Sequence, residues 1–221
     1  MPLHLQPPIP YLITSGATTT ESNPASKDFQ NVLALVRAAI KARISLIQLR
    51  EKNLPARMLY ELALQCVSLT RGTETRLLVN DRADVARAAG ADGVHLTSLS
   101  LEASVIRRSF GRRFLIGVST HSLAEARAAR DCGAADFAVF GPIYDTPSKR
   151  AYGPPLGLGN LHKAAHIVSP FPLIALGGIT QENAQATLRA GAKGLAAIRL
   201  FADPNTLAAT VGVIREGWEI S

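Results

Sequence analysis

Short apolar runs alternate with longer amphipathic segments along most of the chain. The apolar runs are continuous rather than alternating, which predicts parallel strands buried on both faces. They lie at 11–14, 45–49, 76–79, 93–96, 114–118, 137–140, 173–176 and 194–198. The segments between them carry apolar residues at helical spacing. These lie at 28–40, 55–69, 82–89, 101–109, 122–131, 159–168 and 181–190.

A weak internal repeat supports this alternation of strands and helices. GADGVHL (90–96), GAADFAVF (133–140) and GAKGLAAI (191–198) each place a glycine where a helix stops, then a buried strand. Glycine suits that position because it adopts a positive φ without strain. Eight strands with seven or eight helices predict a (β/α)8 TIM barrel, an α/β fold. The alternative, a doubly wound open sheet, lacks a GxGxxG motif after the first strand.

We expect one TIM-barrel domain over residues 1–221, because no low-complexity linker divides the chain. A polar loop at 16–26 follows the first predicted strand. A longer loop, rich in proline and glycine, follows the sixth strand at 141–158. Loops of this length inside a compact domain are usually functional, so we interpret 141–158 as an active-site loop.

Composition narrows the class of partner. Hydrophobic residues make up 47% of the chain, but no apolar run reaches the roughly 18–20 residues that span a membrane. The two cysteines lie far apart and no secretory signal is visible, which predicts a cytoplasmic protein without a membrane partner. The net charge of +7 suits polyanions. Since only 5% of residues are aromatic and the basic residues are scattered, we expect phosphorylated metabolites rather than nucleic acid. The oligomeric state stays open, with a homodimer among the options.

Polar residues follow the predicted strands at their carboxyl ends, where barrels carry their chemistry. The polar members are Gln48, Arg50, Lys52, Asn80, Asp81, His95, Ser119, His121, Thr146, Ser148, Lys149 and Arg199. Gly177, Gly178 and Ile198 join them for their backbone N–H groups.

Arg50, Lys52 and Lys149 are cations that, with the neutral donors, could bind a multiply charged anion. The glycine pair after strand seven and Ile198–Arg199 after strand eight lie where barrels often bind a phosphate. The sequence therefore predicts two anion sites at one mouth. Asp81, beside a polyphosphate, would serve as a Mg²⁺ ligand.

Each candidate also has a purely structural interpretation. Arg50 and Lys52 could pair with Glu51 or Asp81 at the barrel rim. Ser119 or His121 could cap the following helix. His95, within its strand, has the pattern of a hydrogen-bonded core histidine.

The order of motifs resembles the thiamine phosphate synthase/TenI family over roughly residues 10–200. The matching segments are YLIT, QLREK, VNDR, GVHL, IGVSTHS, FGPIYDTPSK, LGGIT and GAKGLAAIR. The synthases join a hydroxymethylpyrimidine diphosphate to a thiazole phosphate and release pyrophosphate. The resemblance therefore implies a transferase of thiamine biosynthesis.

The resemblance also implies residue roles. The diphosphate would be held by Gln48, Arg50, Lys52, Asn80 and Lys149, with Ser119 nearby. Asp81 would hold Mg²⁺. The thiazole phosphate would be held by Thr146, Ser148, Gly178 and Ile198. Their neighbours Gly177 and Arg199 are candidates for the same phosphate by their position at the strand ends. Catalysis would rest on Arg50, Lys52, Ser119, His121 and Lys149.

The chain departs from the synthase pattern at two positions. Ser100 stands where a second metal-binding aspartate is usual, and Arg199 stands where serine is common. The stretch HLTSLSLEA looks closer to TenI-type members, which include a thiazole tautomerase, an isomerase whose acid/base histidine matches His121. That activity, and a non-catalytic barrel that binds thiazole phosphate or thiamine phosphate, are the alternatives. We favour the synthase because Gln48, Arg50, Lys52 and Asp81 are all present.

Overall fold

A computed structural model describes residues 6–146 and 154–219. Its eight strands are β1 (Ile9–Ile13), β2 (Leu46–Leu49), β3 (Arg76–Asn80), β4 (Gly93–Leu96), β5 (Leu115–Thr120), β6 (Phe137–Phe140), β7 (Leu173–Leu176) and β8 (Gly194–Ala197). All eight predicted strands are confirmed, with ends that differ by one or two residues.

The helices alternate with the strands as predicted. They are α1 (Lys27–Lys41), α2 (Ala56–Thr70), α3 (Ala83–Ala89), α4 (Ala103–Phe110), α5 (Leu123–Asp131), α6 (Gly157–Val168), α7 (Gln181–Arg189) and α8 (Leu207–Glu219). A short 3-10 turn, Arg199–Phe201, follows β8. Helix α6 begins inside the segment expected to be loop 141–158, so that loop is shorter than predicted. No helix within the described ranges has the length and apolarity needed to cross a membrane.

The strands form a closed parallel barrel in chain order, with β8 pairing back onto β1. The (β/α)8 fold predicted from the sequence is therefore confirmed. Closure places the carboxyl ends of all eight strands around one mouth. The polar residues that follow different strands thus share a face, although they are far apart in sequence.

Two hydrophobic layers stabilise the barrel. The larger lies between the strands and the surrounding helices, and it includes Phe29, Leu62 and Phe140. The smaller fills the barrel interior. Its members are Ile9, Tyr11, Ile13, Leu46, Leu78, Leu115, Phe137, Val139, Ile174 and Ala196. Side chains at alternate strand positions face opposite sides, so Gln48, Asn80, His95 and Ser119 share the interior face with this cluster.

The repeated glycines and aspartates have a structural explanation. Gly90, Gly133 and Gly191 all adopt a positive φ after their helices, as the repeat predicted. Asp92 accepts a hydrogen bond from the backbone N–H of Leu77, and Asp136 accepts one from Ile116. Each aspartate thereby satisfies a donor near the start of a neighbouring strand, which fixes the register of the sheet.

Candidate active site

The end of β2 supplies three of the predicted anion-binding residues in different environments. Gln48 is buried in the barrel interior, Arg50 is half-buried, and Lys52 is exposed. The backbone N–H of Arg50 donates to the Thr14 hydroxyl at 2.8 Å, which fixes β2 against the end of β1. Because β2 ends at Leu49, Lys52 lies in a turn beyond the strand and not on the strand face that carries Gln48.

Glu51 points away from the anion-binding residues and anchors the loop after β1. Its side chain is buried and accepts hydrogen bonds from Gly16 N–H, from Thr18 N–H and from the Thr18 hydroxyl, at 3.2, 3.1 and 2.7 Å. The suggested pairing of Arg50 or Lys52 with Glu51 or Asp81 is therefore wrong. Within residues 6–146 and 154–219 neither cation has an ion-pair partner. Both charges are available to an anion at the mouth.

Asp81 lies directly after β3, next to the half-buried Asn80. It has a φ of 61°, and its N–H donates to the carbonyl of His95 at 2.9 Å. Its carboxylate accepts a hydrogen bond from the hydroxyl of Ser100. The Ser100 oxygen in turn accepts from Thr97 N–H at 2.7 Å.

The arrangement around Asp81 limits how a metal could bind. Among the described residues, no group of three His, Cys, Asp or Glu side chains could surround an ion. Mg²⁺ is commonly bound by one or two carboxylates together with substrate phosphates. A single exposed carboxylate therefore fits an ion that binds together with a polyphosphate.

The end of β5 contributes Ser119 to the mouth, and His121 follows just after the strand. Ser119 is half-buried and its Oγ lies 3.0 Å from Nε2 of His95. His95 is buried and also contacts the Tyr11 hydroxyl, so its interpretation as a core histidine is confirmed. The capping interpretation of Ser119 is wrong, because Ser122 caps α5 by accepting from Glu125 N–H at 3.1 Å.

His121 follows β5 and is half-buried. Its Nδ1 lies 2.6 Å from the carbonyl oxygen of Gly141, which can only accept. Nδ1 therefore carries a proton, and in the neutral ring Nε2 is the unprotonated nitrogen. This contact joins the ends of β5 and β6.

The ends of β6, β7 and β8 converge on the predicted phosphate site. Arg199 donates to the Thr146 hydroxyl at 3.0 Å, and Ile198 lies just before it, half-buried. Backbone hydrogen bonds continue from β6 to β7 beyond the strands, since Tyr144 N–H donates to Gly177 O at 3.0 Å.

The two glycines after β7 allow this close approach. A Cβ at Gly177 would lie 2.6 Å from Pro142, and one at Gly178 would lie 2.7 Å from Tyr144. Both positions also have a positive φ, which disfavours any side chain. Ser148 and Lys149, predicted for the phosphate and diphosphate, lie outside the described residues.

Sequence reasoning considered Glu51 only as an ion-pair partner of Arg50 or Lys52, and it did not single out Tyr11. Glu51 lies between Arg50 and Lys52 in the segment LIQLREK (46–52), and this alternation signals that its side chain faces away from theirs. Tyr11 had no such signal, because an aromatic residue in an apolar strand is indistinguishable from ordinary core.

Comparisons with known proteins identify the family of this chain. A family model described as Thiamine monophosphate synthase matches residues 18–201. A protein of Geobacter sulfurreducens, provisionally named a thiamine-phosphate synthase, is 48% identical over 180 residues, covering 80% of this chain and 82% of its own. The thiamine-phosphate synthase of Roseiflexus castenholzii is 37% identical over 95% of this chain and 91% of its own.

A solved structure leads to the same family. Thiamine phosphate pyrophosphorylase from Pyrococcus furiosus superposes with a TM-score of 0.79 at 30% identity, covering 96% of both chains. The family model spans well over half of the chain, and the Roseiflexus relative is matched almost end to end. The chain therefore belongs to the thiamine monophosphate synthase family.

Proposed function

We propose that this protein is a thiamine-phosphate synthase, a transferase that joins hydroxymethylpyrimidine diphosphate to thiazole phosphate and releases pyrophosphate. The most direct support comes from the two cations that follow β2. Arg50 and Lys52 lie at the barrel mouth with no ion-pair partner among the described residues, beside the buried amide of Gln48. A tautomerase, which binds one phosphate, does not need this set.

The reaction transfers the pyrimidinylmethyl group from the diphosphate to the nitrogen of the thiazole. The C–O bond from the pyrimidine methylene to the diphosphate breaks, and pyrophosphate leaves with the electron pair. The thiazole nitrogen then donates its lone pair to the methylene carbon. Arg50 and Lys52 would stabilise the charge that develops on the departing pyrophosphate. Binding both substrates at one mouth aligns the nitrogen with the carbon.

The diphosphate would also contact Asn80, Ser119 and Lys149. Asp81 would hold Mg²⁺, which would neutralise charge on the pyrophosphate leaving group. The Ser100 hydroxyl donates to one oxygen of Asp81, which leaves the second oxygen for the ion.

The thiazole phosphate would occupy the opposite side of the mouth. Arg199 and Thr146 meet there, and Gly177 and Gly178 bring the backbone close without a side chain. Ile198 would contribute its backbone, and Ser148 its hydroxyl. A guanidinium in place of the usual serine would give a charge-assisted contact to the phosphate.

The full chain, given both substrates and Mg²⁺, should release pyrophosphate and form thiamine phosphate in equal amounts. Arg50→Ala should lower kcat/KM by about 10- to 100-fold, because a hydrogen bond to a charged group contributes about 1.5–3 kcal/mol. Arg37→Ala is the matched control, since Arg37 is exposed on the outer helix α1. Absence of product at high enzyme concentration would exclude the synthase.

One observation favours a second function, thiazole tautomerisation. The bond to Gly141 O leaves Nε2 of neutral His121 able to accept a proton. His121→Ala should abolish tautomerisation if this is the main activity and should barely change coupling if it is not. Saturable binding of thiazole phosphate with neither activity would instead identify a binding barrel.

A further inference from the structure

Four polar side chains lie together in the barrel interior below the mouth, and hydrogen bonds link three of them, Tyr11, His95 and Ser119. Gln48, Tyr11 and His95 are 2, 0 and 3% exposed, and Ser119 is half-buried at the mouth. The Tyr11 hydroxyl lies 3.2 Å from His95 Nδ1, and His95 Nε2 lies 3.0 Å from Ser119 Oγ. We call these four residues the buried polar chain.

The chain crosses a layer that is otherwise apolar. The rings of Tyr11, His95 and Phe137 pack against one another with centroids 5.7–6.2 Å apart. Gly117 makes room for them, since a Cβ there would lie 2.3 Å from the Phe137 ring and 2.9 Å from His95 Nδ1. Burying a phenol and an imidazole costs free energy unless both are hydrogen-bonded, and a leucine pair could fill this volume.

The protonation states give the buried polar chain a direction. Burial lowers the pKa of His95 to about 3, so its ring is neutral and carries one N–H. Burial raises the pKa of Tyr11 well above its ordinary value, so the phenol keeps its proton. A contact with the Gln48 side chain opposes that rise. Nε2 of Gln48 is buried and has no hydrogen-bond partner among the described residues.

One set of hydrogen-bond directions is compatible with these protonation states. We take the phenol oxygen as the acceptor for the unpartnered N–H groups of Gln48, which directs the Tyr11 O–H to Nδ1 of His95. The single N–H of His95 is then on Nε2 and donates to Ser119 Oγ. The proton of the Ser119 hydroxyl is left to point away from the ring, toward the mouth.

We infer that Tyr11 and His95 are positioning residues that hold the Ser119 hydroxyl as a hydrogen-bond donor to an anionic substrate oxygen at the mouth. The identity of that anion, a diphosphate, rests on the proposed function. A hydroxyl oriented before the substrate binds loses little rotational freedom on binding, which strengthens its contact. Replacement of His95 by an apolar residue would leave Ser119 in place but free to rotate.

The tautomer of His95 is measured first, by long-range 1H–15N correlation on the full chain, with the signal assigned from its loss in His95→Gln. The expected result is an Nε2–H ring that does not change between pH 5.5 and 8.5. An Nδ1–H ring, or titration near the ordinary histidine pKa, would overturn the inference. This measurement needs no ligand, so it decides the inference even if wild-type protein fails to bind pyrophosphate, a failure that counts against the proposed function.

Binding of inorganic pyrophosphate, followed by calorimetry, provides the second measurement. His95→Leu and Ser119→Ala should each weaken binding about three- to tenfold, as expected for one lost hydrogen bond. The double variant should bind like Ser119→Ala alone, because His95 acts only through Ser119. Further weakening by His95→Leu when Ser119 is already absent would show a structural effect and refute the inference.

Two further variants complete the design. His95→Gln keeps an N–H near Nε2 and should bind within about twofold of wild type; affinity as low as that of His95→Leu would contradict the inference. If His95→Leu does not fold, Tyr11→Phe replaces it, with loss of the single Nε2–H tautomer as the expected result and an unchanged spectrum as the contrary one. Tyr144→Phe is the matched control, because its hydroxyl bonds Thr187 Oγ1 at 3.1 Å outside the buried polar chain.

Discussion

Glu51 is the residue whose replacement should most directly test how the mouth is held together. Its buried carboxylate accepts three hydrogen bonds from the loop after β1, and it adjoins Arg50 in sequence. Glu51→Gln preserves the shape of the side chain but replaces one accepting oxygen by an NH₂ group. If the amide oxygen faces Thr18, the new NH₂ faces the N–H of Gly16, and two donors oppose each other.

The cost follows from the bonds that are lost. A hydrogen bond to a charged group contributes about 1.5–3 kcal/mol, and the two bonds to Thr18 also lose their charge. We therefore expect the free energy of unfolding to fall by about 2–3 kcal/mol. For a chain of this size each kcal/mol lowers Tm by about 2–4 °C, so Tm should fall by roughly 4–12 °C.

Urea unfolding at pH 7.5 and thermal unfolding would measure both quantities. The control is Glu21→Gln, the same chemical change on an exposed residue of the same loop, which should stay within about 0.5 kcal/mol of wild type. If Glu51→Gln also unfolds within that margin, the carboxylate does not anchor the loop and the reasoning is wrong.

Two further changes probe the site. As the pH falls from 7.5 to 5, His95 alone should lower the free energy of unfolding by about 2 kcal/mol. The reason is that the unfolded chain protonates this histidine below about pH 6.5, whereas the folded protein does so only near pH 3. His95→Gln should lack this part of the pH dependence, and an equal pH dependence in both proteins would contradict the burial argument. Ser100→Asp should tighten Mg²⁺ binding about tenfold in calorimetry without substrate, since it adds a carboxylate beside Asp81, and unchanged affinity would show that the two positions do not share an ion.

Most of the site could be located from the sequence because barrels collect chemistry at the carboxyl ends of their strands. Once the eight strands were recognised, Arg50, Asp81 and Ser119 followed by position alone. Their partners did not follow. The contact between Ser100 and Asp81 joins the ends of two strands through side chains, and the hydrophobic pattern of the sequence does not predict it.

The sequence by itself determined the eight strands, the helix stops at glycine and the face of each strand that carries polar groups. These depend on local hydrophobic periodicity and on backbone preference, which act over a few residues. Only the tertiary structure decided that Glu51 binds the loop after β1, that Arg199 meets Thr146, and that Tyr11, His95 and Ser119 form one line. Those contacts depend on the closure and stagger of the barrel, which bring Tyr11 within hydrogen-bond distance of His95, 84 residues further along the chain.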